Sequence, residues 1–102
     1  MTNAANENPA VEVTDAKHAN RYEARVDGEL AGFLEYRVDG DVVTMPHTEV
    51  DPRFEGKGVG STLVASALDS VRVVGGRVVP TCSFVASYIE RHPEHQDLVV
   101  TE

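Results

Sequence analysis

Between residues 21 and 50, polar and apolar side chains alternate in three successive runs. Arg21–Val26 alternates strictly, as a strand with one buried face does. Leu30 to Val38 follows, with Leu30, Leu34, Tyr36 and Val38 expected on one face, and Asp41 to Val50 makes the third run. Asp27-Gly28 and Asp39-Gly40 separate the runs, and Asp-Gly between alternating segments signals a hairpin. The pattern predicts an antiparallel meander, with a short strand before it at Val11-Glu12-Val13.

From Gly58 to about Val73 the period becomes helical, with Leu63, Val64, Ala67, Leu68 and Val71 on one face and Gly75-Gly76 as the stop. Arg77-Val78-Val79-Pro80 reads as a short buried strand, parallel to the last strand of the meander through a right-handed crossover. Cys82 to Arg91 reads as a second helix, with Phe84, Val85, Tyr88 and Ile89 inward, ending before Pro93. Leu98-Val99-Val100 suits a last strand. The expected fold class is α+β, a mixed sheet made of the meander followed by β-α-β-α. Residues 1–10 read as a disordered tail and residues 11–102 as a single domain.

The junction between the meander and the first helix, Val50-Asp51-Pro52-Arg53-Phe54-Glu55-Gly56-Lys57-Gly58-Val59-Gly60-Ser61, carries glycines at alternate positions 56, 58 and 60. Glycine admits positive φ and leaves no Cβ between main-chain amides and a ligand. A helix start supplies unpaired N–H groups and the positive end of the peptide dipole. The junction is therefore either a tight turn or a phosphate site. A P-loop is excluded, because Asp51 stands where its first glycine belongs and Gly58 follows Gly56-Lys57. A dinucleotide fingerprint fits Gly56 and Gly58 but meets Ser61 in its third glycine position.

Val-x-Pro, a short loop, the alternating glycines and an apolar helix resemble the acetyl-CoA loop of the GNAT acetyltransferase superfamily. Its motif, Arg/Gln-x-x-Gly-x-Gly/Ala, falls on residues 55 to 60, with Gly58 and Gly60 matching and Glu55 in the Arg/Gln position. Arg53 lies two residues too early. The segments 46–50, 79–89 and 91–94 also resemble the small YjdJ-type branch, so the likeness spans roughly residues 11 to 100. The connection from Val13 to Arg21 is too short for the two N-terminal helices of most members. The resemblance implies acetyl-CoA as co-substrate, with Val50, Glu55, Gly56, Lys57, Gly58, Val59, Gly60 and Ser61 around it. It further implies transfer of acetyl to an amine; the alternative is a CoA-binding or interaction module with little catalysis. Pro46 either marks the bulge that opens the family's cofactor cleft or is an ordinary edge proline.

Composition narrows the partners. The chain has 102 residues, a net charge of −8 and only two lysines, Lys17 and Lys57. With no basic patch, neither nucleic acid nor an anionic membrane is expected, whereas a polyamine or a protein lysine would be attracted. One cysteine, Cys82, precludes an internal disulfide. No apolar run reaches membrane-span length, and the N-terminus carries no signal-peptide pattern, so a cytoplasmic monomer or homodimer is expected.

Four side chains are candidates for chemistry. Tyr88 falls where many GNAT enzymes keep a tyrosine that protonates the leaving thiolate; it also reads as a core residue. Cys82, at a strand end and helix start, is either a dipole-activated thiol able to carry the acetyl group or a small buried residue. His47 and Glu49, two apart on a strand, share a face beside the expected cleft and could receive the amine proton. His92 and His95, with Glu94 and Asp97, lack zinc spacing, so no metal is expected.

Overall fold

A computed structural model describes residues 10–100. Apart from Ala10, the expected N-terminal tail lies outside the described residues. Five strands, β1 (Val11–Ala16), β2 (Arg21–Val26), β3 (Glu29–Asp39), β4 (Val42–Val50) and β5 (Arg77–Val79), form one sheet in chain order. The first four pair antiparallel and β5 pairs parallel to β4. Helix α1 (Val59–Val73) connects β4 to β5, and α2 (Ser83–Arg91) follows β5. Short 3-10 turns span Lys17–Ala19, Pro52–Phe54 and Pro93–Leu98.

The turns follow local backbone chemistry. Asp27 and Gly28 both take positive φ, at 51° and 82°, the pattern of a two-residue type I′ hairpin. The second hairpin is offset from the expected one. Asp39 pairs with Val42, so the turn itself is Gly40-Asp41, with positive φ at Gly40 (64°). Between β1 and β2 the chain reverses over Lys17–Ala19 and Asn20, the latter left-handed at φ 53°.

Helix α1 lies across one face of the sheet and contacts all five strands. Its Leu63, Val64, Ala67, Leu68 and Val71 are buried, as the helical period predicts, against Ala24, Leu34, Met45 and Val78. The other face is polar. Arg21 and Arg25 flank Glu23 at 2.8 and 3.0 Å, and the Arg21 guanidinium sits 4.4 Å over the Phe33 ring.

Four apolar positions depart from expectation. At the β2–β3 pairing the register slips between Ala24 and Arg25, so Ala31 is the extra residue and is buried while Leu30 turns outward. Val38 is 61 % exposed, because it lies past the end of α1's cover. Phe84 is 39 % exposed and rests on Gly60 instead of entering the core. Leu98-Val99-Val100 forms no strand: Leu98 closes the last 3-10 turn and Val99 makes an isolated parallel bridge to Val78. The turn is tied to α1 by Arg72, which bonds both Asp97 carboxylate oxygens and the Glu94 carbonyl.

A second irregularity places the site. Glu35 pairs with His47 but Arg37 with Thr44, so β4 carries one extra residue around Met45-Pro46. Proline has no N–H for the ladder, and here it marks a bulge. The β4–β5 pairing runs only from Val42 to Thr44; beyond the bulge, Met45 O accepts from Cys82 N–H at 2.9 Å and the strands part.

Candidate functional site

The half of β4 beyond the bulge has a free edge. Asp51 N–H donates to Ala31 O, toward β3, at 2.8 Å. Main-chain groups alternate sides along a strand, so those of Val50 and Thr48 turn to the opposite edge, where β5 no longer pairs and the Thr48 amide faces Cys82 instead. Strand β3 is drawn close here: a Cβ on Gly32 would stand 2.6 Å from Glu49 O.

Cys82 occupies the gap. It caps the N-terminus of α2, and its Sγ lies 3.7 Å from the Thr48 hydroxyl across the opening. Burial works against the thiolate, but the Val85, Phe84 and Thr48 amides and the Thr48 hydroxyl around the sulfur favour it and hold the thiol below its usual range. The first-turn amides of a helix favour negative charge at its N-terminus, which is why a cysteine there ionises readily. Thr48 and Phe84 were invisible as site residues in the sequence. Thr48 is separated from Cys82 by 34 positions, and only the bulge register brings them together.

The glycine loop leads from the same edge. Asp51 caps the 3-10 turn, its carboxylate accepting from Arg53 N–H at 2.9 Å, and the Arg53 guanidinium is spent on Asp51 (3.1 Å) and Glu29 (3.6 Å). Gly56 and Gly58 take positive φ, 82° and 75°, where other residues are strained. The amides of Glu55 and Lys57 are returned to Pro52 O and Phe54 O. Thr62 N–H makes the first helical bond, to Gly58 O, which also accepts from the Thr62 hydroxyl at 2.7 Å. Among the described residues, no backbone bond engages the amides of Gly56, Gly58, Val59, Gly60 or Ser61. A Cβ at Gly56 would meet nothing within 4 Å, so that side of the loop is open. At Gly60 the Phe84 ring takes the space, 2.7 Å from where a Cβ would stand.

Of the residues singled out by sequence, the fold thus gathers Val50, Cys82 and the segment 55–61 around one opening. His47 and Glu49 are not in it. They pair with each other at 3.1 Å and are half exposed or more, on the sheet face opposite Thr48. The expectation of a shared face holds, but strand alternation turns both side chains from the thiol. Tyr88 is 2 % exposed, its ring stacked on His92 at 3.9 Å, and His92 Nδ1–H donates to Tyr88 O. Among the described residues, no group of three or more His, Cys, Asp or Glu is arranged to hold a metal.

This arrangement, a bulged strand parting from a parallel neighbour beside a glycine loop at a helix start, meets an independent match. A sequence profile of the GCN5-related N-acetyl-transferase family covers residues 21–98. The chain belongs to that family. Solved structures agree on the fold. A GCN5-like protein from Staphylococcus aureus superposes with a TM-score of 0.69 at 22 % identity over 92 % of both chains. The ribosomal-protein-S18-alanine N-acetyltransferase of Escherichia coli gives a TM-score of 0.59 at 19 % identity, over 88 % of this chain and 56 % of its own. No curated protein sequence matches the chain significantly.

The β1–β2 connection is three residues of 3-10 turn and Asn20, so nothing between these strands covers the polar sheet face. No helix among the described residues is long and apolar enough to cross a membrane.

Proposed function

We propose that the protein is an acetyl-CoA-dependent N-acyltransferase whose acceptor is a primary amine on a polyamine or a protein lysine. The observation that carries this is the parting of β4 and β5, where the Cys82 thiol meets Thr48 next to the unpaired edge at Val50 and Phe84 on α2 packs on Gly60 of the loop. In this reading the amides of Gly56, Gly58, Val59, Gly60 and Ser61, which no backbone bond engages, receive the pyrophosphate, with charge support from the Lys57 ammonium and the α1 dipole. The main-chain edge at Val50 offers strand-like pairing to an extended amide-bearing arm. Glu55 stands beside this loop with its amide already engaged and its carboxylate exposed.

The environment of Cys82 supports transfer through the thiol. Its thiolate bonds to the acetyl carbon as the thioester C–S bond breaks, and the departing thiolate takes a proton, for which Tyr88 is the proposed donor. An amine then attacks the acetyl-cysteine, forming the amide and returning the thiolate to Cys82, while the amine proton leaves through water and restores the phenol. The Phe84, Val85 and Thr48 donors that hold the thiolate also favour it as a leaving group. A net charge of −8 draws in a cationic acceptor. A cytoplasmic setting, as monomer or homodimer, suits a working free thiol.

A second reading, a CoA-binding module with little catalysis, draws on Glu55 in the motif's Arg/Gln position and on Arg53 being held by Asp51 and Glu29. Calorimetry with CoA, then intact-mass spectrometry with acetyl-CoA before and after adding an amine, separates the two. The transferase acquires one acetyl group at Cys82 and loses it to the amine, and Cys82→Ala acquires none. Binding without amine acetylation leaves the module; no CoA binding removes both.

A further inference from the structure

Beyond the C-terminal half of α1, a groove of about 700 Å³ opens between the helix and the sheet. Tyr22 and Tyr36 form its floor, their rings 5.1 Å apart and tilted by 47°, and Asp15 and Asp41 stand at its rim. The volume lies within the usual range of small-ligand clefts, roughly 300–1,000 Å³. Five large apolar side chains are exposed among the described residues, and three of them, Val38, Val73 and Val74, line this one groove. Scattered exposed valines need no explanation, but a cluster around a concavity marks a surface that gains by being covered.

We propose that this groove is a second ligand site, for a small primary alkylamine bound as its ammonium ion. The ammonium sits between the Asp15 and Asp41 carboxylates over the tyrosine rings, and the alkyl chain lies along Val38 and Val74. The Tyr36 hydroxyl donates to Asp15 Oδ1 at 2.6 Å, which fixes that carboxylate above the floor. Among the described residues, no ion pair engages Asp15 or Asp41, and Lys17 is the one ammonium on the lining. A cation is further favoured by the negative ring faces and by the net charge of −8. An anion would meet two carboxylates, and a neutral alcohol would forfeit both charge contacts.

The site is separate from the acyl-transfer cleft and does not depend on that reading. No residue lining it belongs to the glycine loop or touches Cys82. The 15 residues of α1 set its far end about 20 Å from the loop, so a ligand here is no acceptor in waiting for the thioester.

The test is a titration of the full chain, followed by amide NMR, with n-butylamine hydrochloride and with n-butanol as the uncharged match. The amine is expected to give saturable shifts confined to groove residues such as Asn20, Gly40, Val74 and Gly76, and the alcohol none that saturate. Asp41→Asn, at an exposed position outside the core, weakens the amine several-fold, whereas Lys17→Met, which removes the opposing ammonium, strengthens it. Shifts that never saturate, equal binding of the alcohol, or indifference to both substitutions would each overturn the site.

Discussion

At the scale of single residues, two contacts organise the cleft. Phe84 lies on Gly60 so closely that a side chain there would have to push the ring outward. Gly60→Ala should therefore cost about 1–2 kcal/mol of overpacking, even though alanine is the better helix former by about 1 kcal/mol. In a Phe84→Ala background the same change should be neutral or stabilising, and thermal unfolding of the four variants reads the reversal. The second contact is Thr48 with Cys82. Because the donors around the sulfur lower the thiol's pKa, its alkylation rate should level off at a lower pH than that of a free cysteine, whose midpoint is about 8.5. Thr48→Val keeps the shape, removes one donor and moves that midpoint upward. A pH–rate profile with iodoacetamide in which Thr48→Val overlays the parent protein would show the hydroxyl to be idle. Position 82 stood out in the sequence as the only cysteine; position 48 did not, because its role comes from a strand register that no local pattern encodes.

Among the elements, the sheet works through its two defects. The Ala31 bulge turns Leu30 out, and the Pro46 bulge ends the β4–β5 ladder where the site begins. The proline was legible, but the Ala31 slip was not, since alternation read straight through it. The sheet is also cross-tied, with Tyr36 on β3 bonding Asp15 on β1 past β2. Burial and the Asp15 carboxylate both raise the phenol's pKa in the folded chain. The fold therefore binds the phenolic proton more tightly than the unfolded chain does. That contribution is complete below the unfolded value of about 10 and declines as pH rises above it. Tyr36→Phe should cost about 1 kcal/mol near neutral pH through the lost hydrogen bond. It should also flatten the alkaline fall in stability, as urea unfolding at neutral and high pH would record.

For the whole molecule, charge and coverage set the conditions of function. Seventeen acidic residues against nine Lys and Arg give an acidic surface, and the sheet face beyond His47 and Glu49 has no helix over it. If a cationic acceptor is steered by this field, its KM should rise several-fold between low salt and about 0.3 M, where the Debye length falls to about 5 Å. The kcat should change little. A salt-independent KM would remove steering from the account.

The sequence by itself determined the elements and the direction of the chain through them. Alternation, helical period, Asp-Gly turns and glycine spacing act within a few residues, and burying one face leaves them little choice of arrangement. The glycine loop was legible for the same reason, since positive φ and a helix start are local. What only the tertiary structure decided was which groups meet. It turned His47 and Glu49 away from the thiol, laid Phe84 on Gly60, reduced the last strand to one bridge and placed Thr48 opposite Cys82. Each depends on a register slip or a packing contact between distant segments, and that is fixed by the energy of the assembled core, not by neighbours along the chain.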